Sequence, residues 1–160
     1  ECLNFMEITQ RLPIKLMIEI TENQTLTITP AIKELIRSLR NRGVLFALDD
    51  FGTGYANLCY LNELDLDVIK IDKTFIKAIK EVEQHIPMLE SIIHLSGLLG
   101  LRMVAEGVEY GYQQQWLRKN NVDYLQGYQF LPPVMFDDFM RFYKQSVGLF
   151  ESASDSTFSA

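Results

Sequence analysis

The chain has 160 residues, 48% of them apolar and 22% charged, which is the composition of a globular domain with room for a real core. A formal net charge of −6 argues against a general nucleic-acid binder, so neither DNA nor RNA is expected as a partner. Two cysteines without a C-x-x-C pair and two isolated histidines, His85 and His94, give no zinc or disulfide signature, and no apolar run is long enough to cross a bilayer.

Strand-like and helix-like segments then alternate. "KLMIEIT" (15–21) reads as a strand. "TPAIKELIRSLRNRG" (29–43) reads as an amphipathic helix: Thr29 is its N-cap, Pro30 its first helical residue, and Gly43 lies past its end. "VLFALDD" (44–50) is a second strand, "YANLCYLNEL" (55–64) a short helix and "DVIKID" (67–72) a third strand. Thr74 to Leu99 reads as helix interrupted at Pro87. "LRMVAEG" (101–107) is a fourth strand, Tyr112 to Asn120 a helix and "VDYLQGY" (122–128) a fifth strand. Asp137 to Val147 is a last helix, and Trp116, Phe139 and Tyr143 are expected in the core. Residues 1–147 are expected to form one domain portion, with 148–160 a polar, disordered tail. The chain opens on Glu1 rather than Met, so sequence upstream is expected.

Five strand–helix alternations predict a parallel α/β architecture, either an open doubly wound sheet or part of a β/α barrel. A complete barrel takes about 250 residues. Strand alternation puts Met17, Glu19 and Thr21 on one face, with Leu45, Ala47 and Asp49, Val68 and Lys70, Val104 and Glu106, and Tyr124 and Gln126 on the corresponding faces of the later strands. Each polar residue falls near the C-terminal end of its strand, the edge that carries active sites in this architecture. Taken singly, an aspartate there is a helix cap, as Asp72 reads, a lysine can snorkel, and Glu109 suits the first turn of a helix. Together, Glu19, Asp49, Asp50 and Glu106 with Lys70 make a hard oxygen-ligand site for Mg²⁺, Mn²⁺ or Ca²⁺. Adjacent carboxylates tolerate their repulsion when a divalent cation sits on them, and two such cations serve in-line phosphodiester displacement.

"IEITEN", "LDDFGTGYANLCYL", "VIKIDKTFI" and "VAEGVEYGYQQQWLRKNNVDYLQGYQF" resemble the EAL-domain cyclic di-GMP phosphodiesterases, over roughly Lys15 to Pro133. The resemblance implies a partial (β/α) TIM-like barrel, the last five β/α units of an EAL barrel. It implies hydrolysis of cyclic di-GMP to linear pGpG with Mg²⁺ or Mn²⁺, Ca²⁺ being inhibitory. By the same resemblance Glu19 binds a first metal, Asp49 bridges two, and Asp50 and Glu106 bind the second. Lys70 holds the attacking water or scissile phosphate, and Gln126 hydrogen-bonds water or substrate. Glu22 anchors the loop from Phe51 through Leu58, a region of self-association along with any exposed sheet edges, and Glu109 supports the loop near the second metal.

The Glu-Ala-Leu motif is absent from the 160 residues, and so is the family's early-strand metal-binding Asn. The isolated chain is therefore expected to be inactive. The alternative is a truncated, non-catalytic EAL module acting by protein–protein interaction or weak nucleotide binding. A cytoplasmic location is expected, with a parent anchored to a membrane through upstream domains as a further possibility. A receiver-type domain fits badly, because a receiver places its acidic pair after the first strand and its lysine after the fifth.

Overall fold

A computed structural model of the chain describes residues 15–21, 28–52, 61 and 63–143. The chain forms two units, 1–130 and 131–160. In the first, five strands make one parallel sheet whose spatial order is the chain order: β1 (Met17–Thr21), β2 (Leu45–Phe51), β3 (Val68–Ile71), β4 (Arg102–Ala105) and β5 (Tyr124–Leu125). Between them run α1 (Pro30–Arg40), α2 (Lys73–Ile76), α3 (Pro87–Leu98) and α4 (Gly111–Lys119). The expected helix at 55–64 lies almost wholly outside the described residues.

The sheet has two unequal faces. Phe46, Leu48, Ile69, Ile71, Met103 and Ala105 join Ile36 of α1, Leu89 and Ile92 of α3 and Trp116 and Leu117 of α4 in the main core. On the other face Ala47, Val68 and Val104 form a small cluster with Met17 packed against it. These are the inward positions that strand alternation assigns, so period-two patterning carries the register. Truncating Leu48 or Ile69 to Ala, both essentially inaccessible, costs about 2–5 kcal/mol by loss of contacts and the cavity left behind.

Local signals explain the helices. Thr29 Oγ1 accepts from the Ile32 amide, and Pro30 occupies the first turn of α1, as its sequence requires. Chain reversal after α1 uses Gly43 at φ +89°. Pro87, by contrast, does not interrupt a helix. It begins α3, because its missing N–H is harmless at the first helical position, and residues 77–86 between α2 and α3 are not helical.

Two aspartates not singled out by sequence organise the N-terminal ends of the strands. Asp67, just before β3, accepts from the Phe46 amide at 2.9 Å and from Arg40 Nη2 at 2.7 Å. Asp123, just before β5, accepts from the Met103 amide at 2.8 Å. Each satisfies an amide on the neighbouring strand that the ladder leaves unpaired.

Of the second unit, residues 131–143 are described, and 136–143 are helical. Phe139 is 39% exposed and Tyr143 half-buried, so neither is the core residue expected. Their four-residue spacing stacks the rings on each other, centroids 6.3 Å apart, along the helix surface. No helix among the described residues is long and apolar enough to cross a membrane.

Candidate functional site

The C-terminal ends of β1 to β4 converge on one lysine. Lys70 is only 5% exposed, and its Nζ lies 2.8 Å from Glu19 Oε2, 3.0 Å from Asp49 Oδ1 and 2.7 Å from Glu106 Oε1. Burial alone would lower its pKa. Hydrogen bonds to Glu106 and Glu19 and the contact with Asp49 outweigh that effect, and hold the pKa above the ordinary lysine value. The ammonium is therefore charged at neutral pH.

The contact with Asp49 differs from the other two. It is an ion pair in distance, but Oδ1 is buried and takes no well-directed hydrogen bond.

Asp50 reaches the same place by a break in the strand. Leu48 pairs with Ile69 but Phe51 pairs with Ile71, so β2 carries one extra residue there. Asp50 sits at φ +57°, a left-handed conformation that non-glycine residues adopt at some cost. Regular alternation would send Asp49 and Asp50 to opposite faces. With the bulge, Asp49, Asp50 and Glu106 each present an oxygen within 4.8 Å of the others. Three carboxylates so placed fit a hard divalent cation.

Glu106 lies just beyond β4 and is followed by Gly107 at φ +68°, where a Cβ would come within 2.6 Å of Lys73 Cβ. Gly127, after β5, is packed so closely that a Cβ would lie 2.2 Å from the Val108 carbonyl oxygen. The Val108 amide donates to the Gln126 carbonyl, and the Gln129 amide to that of Val108. β5 itself spans only Tyr124–Leu125, shorter than the expected 122–128.

Of the remaining candidates, the Gln126 side chain is exposed and lines an open cavity of about 480 Å³ with Met17, Leu45, Val68 and Tyr124. Glu109 is exposed, and its amide donates to Gln113 Oε1 at 2.8 Å. Glu22 and residues 53–58 lie outside the described residues. Asp72 is the N-cap of α2, accepting from the Thr74 amide and hydroxyl. Gln113 was not singled out by sequence. Its signal is a polar residue on the stripe of α4 that also buries Trp116 and Leu117, at i, i+3 and i+4.

A parallel β/α sheet with a carboxylate cluster and a buried lysine on its C-terminal rim defines an α/β scaffold of TIM-like type. Residues 3–133 match the EAL domain family, and the chain belongs to it. It is 41% identical over 136 residues to the cyclic di-GMP phosphodiesterase PdeL of Escherichia coli, covering 84% of this chain but 37% of PdeL. Its fold matches the EAL domain of Mycobacterium smegmatis DcpA with a TM-score of 0.73 and 28% identity, over 89% of this chain and 66% of that one. It also matches Klebsiella pneumoniae BlrP1 in a manganese and cyclic di-GMP complex, with a TM-score of 0.63 and 28% identity, over 80% of this chain and 33% of that one. The chain thus spans little more than a third of PdeL and two-thirds or less of these structural relatives.

Proposed function

We propose that these 160 residues supply the greater part of the catalytic rim of a metal-dependent phosphodiesterase that hydrolyses cyclic di-GMP to linear pGpG. The observation that carries this reading is the convergence of Glu19, Asp49 and Glu106 on Lys70, with Asp50 brought alongside by the bulge.

Asp49, Asp50 and Glu106 would hold Mg²⁺ or Mn²⁺, with Glu19 contributing to a neighbouring cation. Such cations supply an activated water and neutralise charge on phosphoryl oxygens. Lys70, charged and nearly immobile among its carboxylates, presents a fixed positive group toward a phosphate or the water that attacks it. Gln126, whose side chain is exposed, would donate to substrate or water by the family resemblance. Supporting roles for Glu22 and Glu109 follow from the family resemblance alone.

The 160 residues contain no Glu-Ala-Leu motif, and they lack the early-strand Asn of the family. The chain by itself is therefore inactive in this reading. The decisive experiment incubates the purified chain with cyclic di-GMP at saturating Mn²⁺, alone and with a separate polypeptide carrying the N-terminal EAL segment, and follows pGpG by chromatography. No product alone and measurable product with the supplement is the expected result. Robust turnover by the monomeric chain alone would refute it.

A second reading, a non-catalytic module, is favoured by the open apolar cavity lined by Met17, Leu45, Val68, Val104 and Leu125, a surface suited to a protein partner or to a second copy. Persistent inactivity with the supplement, together with partner binding that buries Met17 and Val68, would support it.

A further inference from the structure

We infer that Gln113 is a positioning residue for the acidic cluster: its carboxamide fixes the loop that carries Glu106. The inference rests on the metal-dependent reading above.

Gln113 is 2% exposed, although it is an uncharged polar residue on a surface helix. Its Oε1 accepts from two successive loop amides, Glu109 at 2.8 Å and Tyr110 at 3.1 Å. Its Nε2 donates to the carbonyl of Ile76, the last residue of α2, at 3.1 Å. One side chain therefore ties α4 both to the segment leaving β4, which bears Glu106, and to the short helix that follows Lys70's strand.

The geometry gives each arm a separate task. The loop is pinned as far as Val108, whose amide donates to the Gln126 carbonyl, and beyond it the Glu109 and Tyr110 amides have Gln113 Oε1 as their acceptor. Gly107 permits the sharp turn after Glu106 but supplies no side chain to hold it. Oε1 provides that hold, three residues beyond the carboxylate. The Nε2 arm fixes the end of α2, against whose first residue, Lys73, Gly107 packs. Gln113 touches neither carboxylate nor lysine in this account; it acts through the backbone that aims Glu106.

The test compares the wild-type chain with Gln113→Met, which keeps length but has no polar group, and Gln113→Glu, which keeps an acceptor oxygen. Amide hydrogen exchange should show the Glu109 and Tyr110 amides protected in the wild type and in Gln113→Glu, and unprotected in Gln113→Met. Calorimetric titration with Mn²⁺ should show affinity about tenfold weaker in Gln113→Met and within about twofold of wild type in Gln113→Glu, the range typical of a lost supporting partner against a retained one. Both variants should melt at lower temperature, so stability and affinity separate. Free exchange of both amides in the wild type overturns the inference, as does equal Mn²⁺ affinity in all three folded proteins, or affinity that simply tracks melting temperature. If Gln113→Met does not fold, exchange in the wild type and in Gln113→Glu decides. A wild type that binds no Mn²⁺ sinks the proposed function instead, and exchange then decides the loop brace by itself.

Discussion

Lys70 Nζ stands 2.7 Å from Glu106 Oε1, joining the end of β3 to the segment just past β4 across adjacent strands. The same nitrogen serves Glu19 and Asp49. Lys70 thus holds together carboxylates that would otherwise repel one another in a partly dry site.

Replacing it should expose that dependence. Lys70→Met leaves Asp49 and Glu106, both partly buried, without their counter-ion and should destabilise the chain by about 1–3 kcal/mol in chelator. Saturating Mn²⁺ should recover a large part of the loss. Urea unfolding with and without Mn²⁺ measures both, and a variant as stable as wild type in chelator would show that Lys70 is not a structural counter-ion.

The bulge in β2 makes a prediction about backbone and charge separately. Asp50→Gly and Asp50→Ala both remove the carboxylate, but only Ala keeps a Cβ at φ +57°. The Gly variant should be the more stable by about 1 kcal/mol. Both should lose Mn²⁺ affinity in calorimetric titration, as should Asp49→Asn, which should also abolish cyclic di-GMP hydrolysis in a full-length protein containing this chain while preserving its fold.

Asp72 gives a pH dependence of known sign. Burial would raise its pKa, but hydrogen bonds from Thr74 and from the amides of Thr74 and Lys73 outweigh that and lower it. Its stabilising contribution is therefore complete above the unfolded carboxylate value and is lost as pH falls through the lower folded value. Asp72→Ala should cost about 1 kcal/mol at neutral pH, the usual worth of such a cap, and almost nothing below both values. Denaturant midpoints across that range test it; a difference independent of pH would mean that the cap does not act through its charge.

Gly127→Ala should be among the most disruptive small substitutions, because the added Cβ would lie 2.2 Å from the Val108 oxygen and 2.4 Å from its nitrogen. Displacing Val108 should also disturb Glu106, two residues earlier. Lowered melting temperature together with weakened Mn²⁺ binding is the expected pair of results. Wild-type behaviour in both would show that the two loops part easily.

Much of this site is readable from the chain because strand alternation is rigid: once β1 to β4 are placed, Glu19, Asp49, Lys70 and Glu106 fall on one rim. Asp50 cannot be placed by that rule, since its position depends on a bulge that no periodicity encodes. Gln113 carries only a weak signal, a polar residue on the buried stripe of α4; its burial and its bond to the Ile76 carbonyl, distant in sequence, show its use. Pro87 suits both the start and the interruption of a helix, and the choice depends on residues 77–86, which are not helical. Phe139 and Tyr143 were misplaced because an apolar helical stripe records what a helix could bury, not whether it does.

The sheet's spatial order, β1 through β5 without exchange, also bears on how the molecule is made. Each strand joins an edge already laid down, so no later strand must thread between two earlier ones, and every pairing is between neighbours along the chain. During synthesis from the N-terminus, Glu19 and the two aspartates of β2 emerge before Lys70, and Glu106 last of all. A growing chain that has produced β1 and β2 therefore holds carboxylates without their lysine. The ion pairs that tie the ends of β1 and β2 to the sheet therefore form only when β3 brings Lys70 into place.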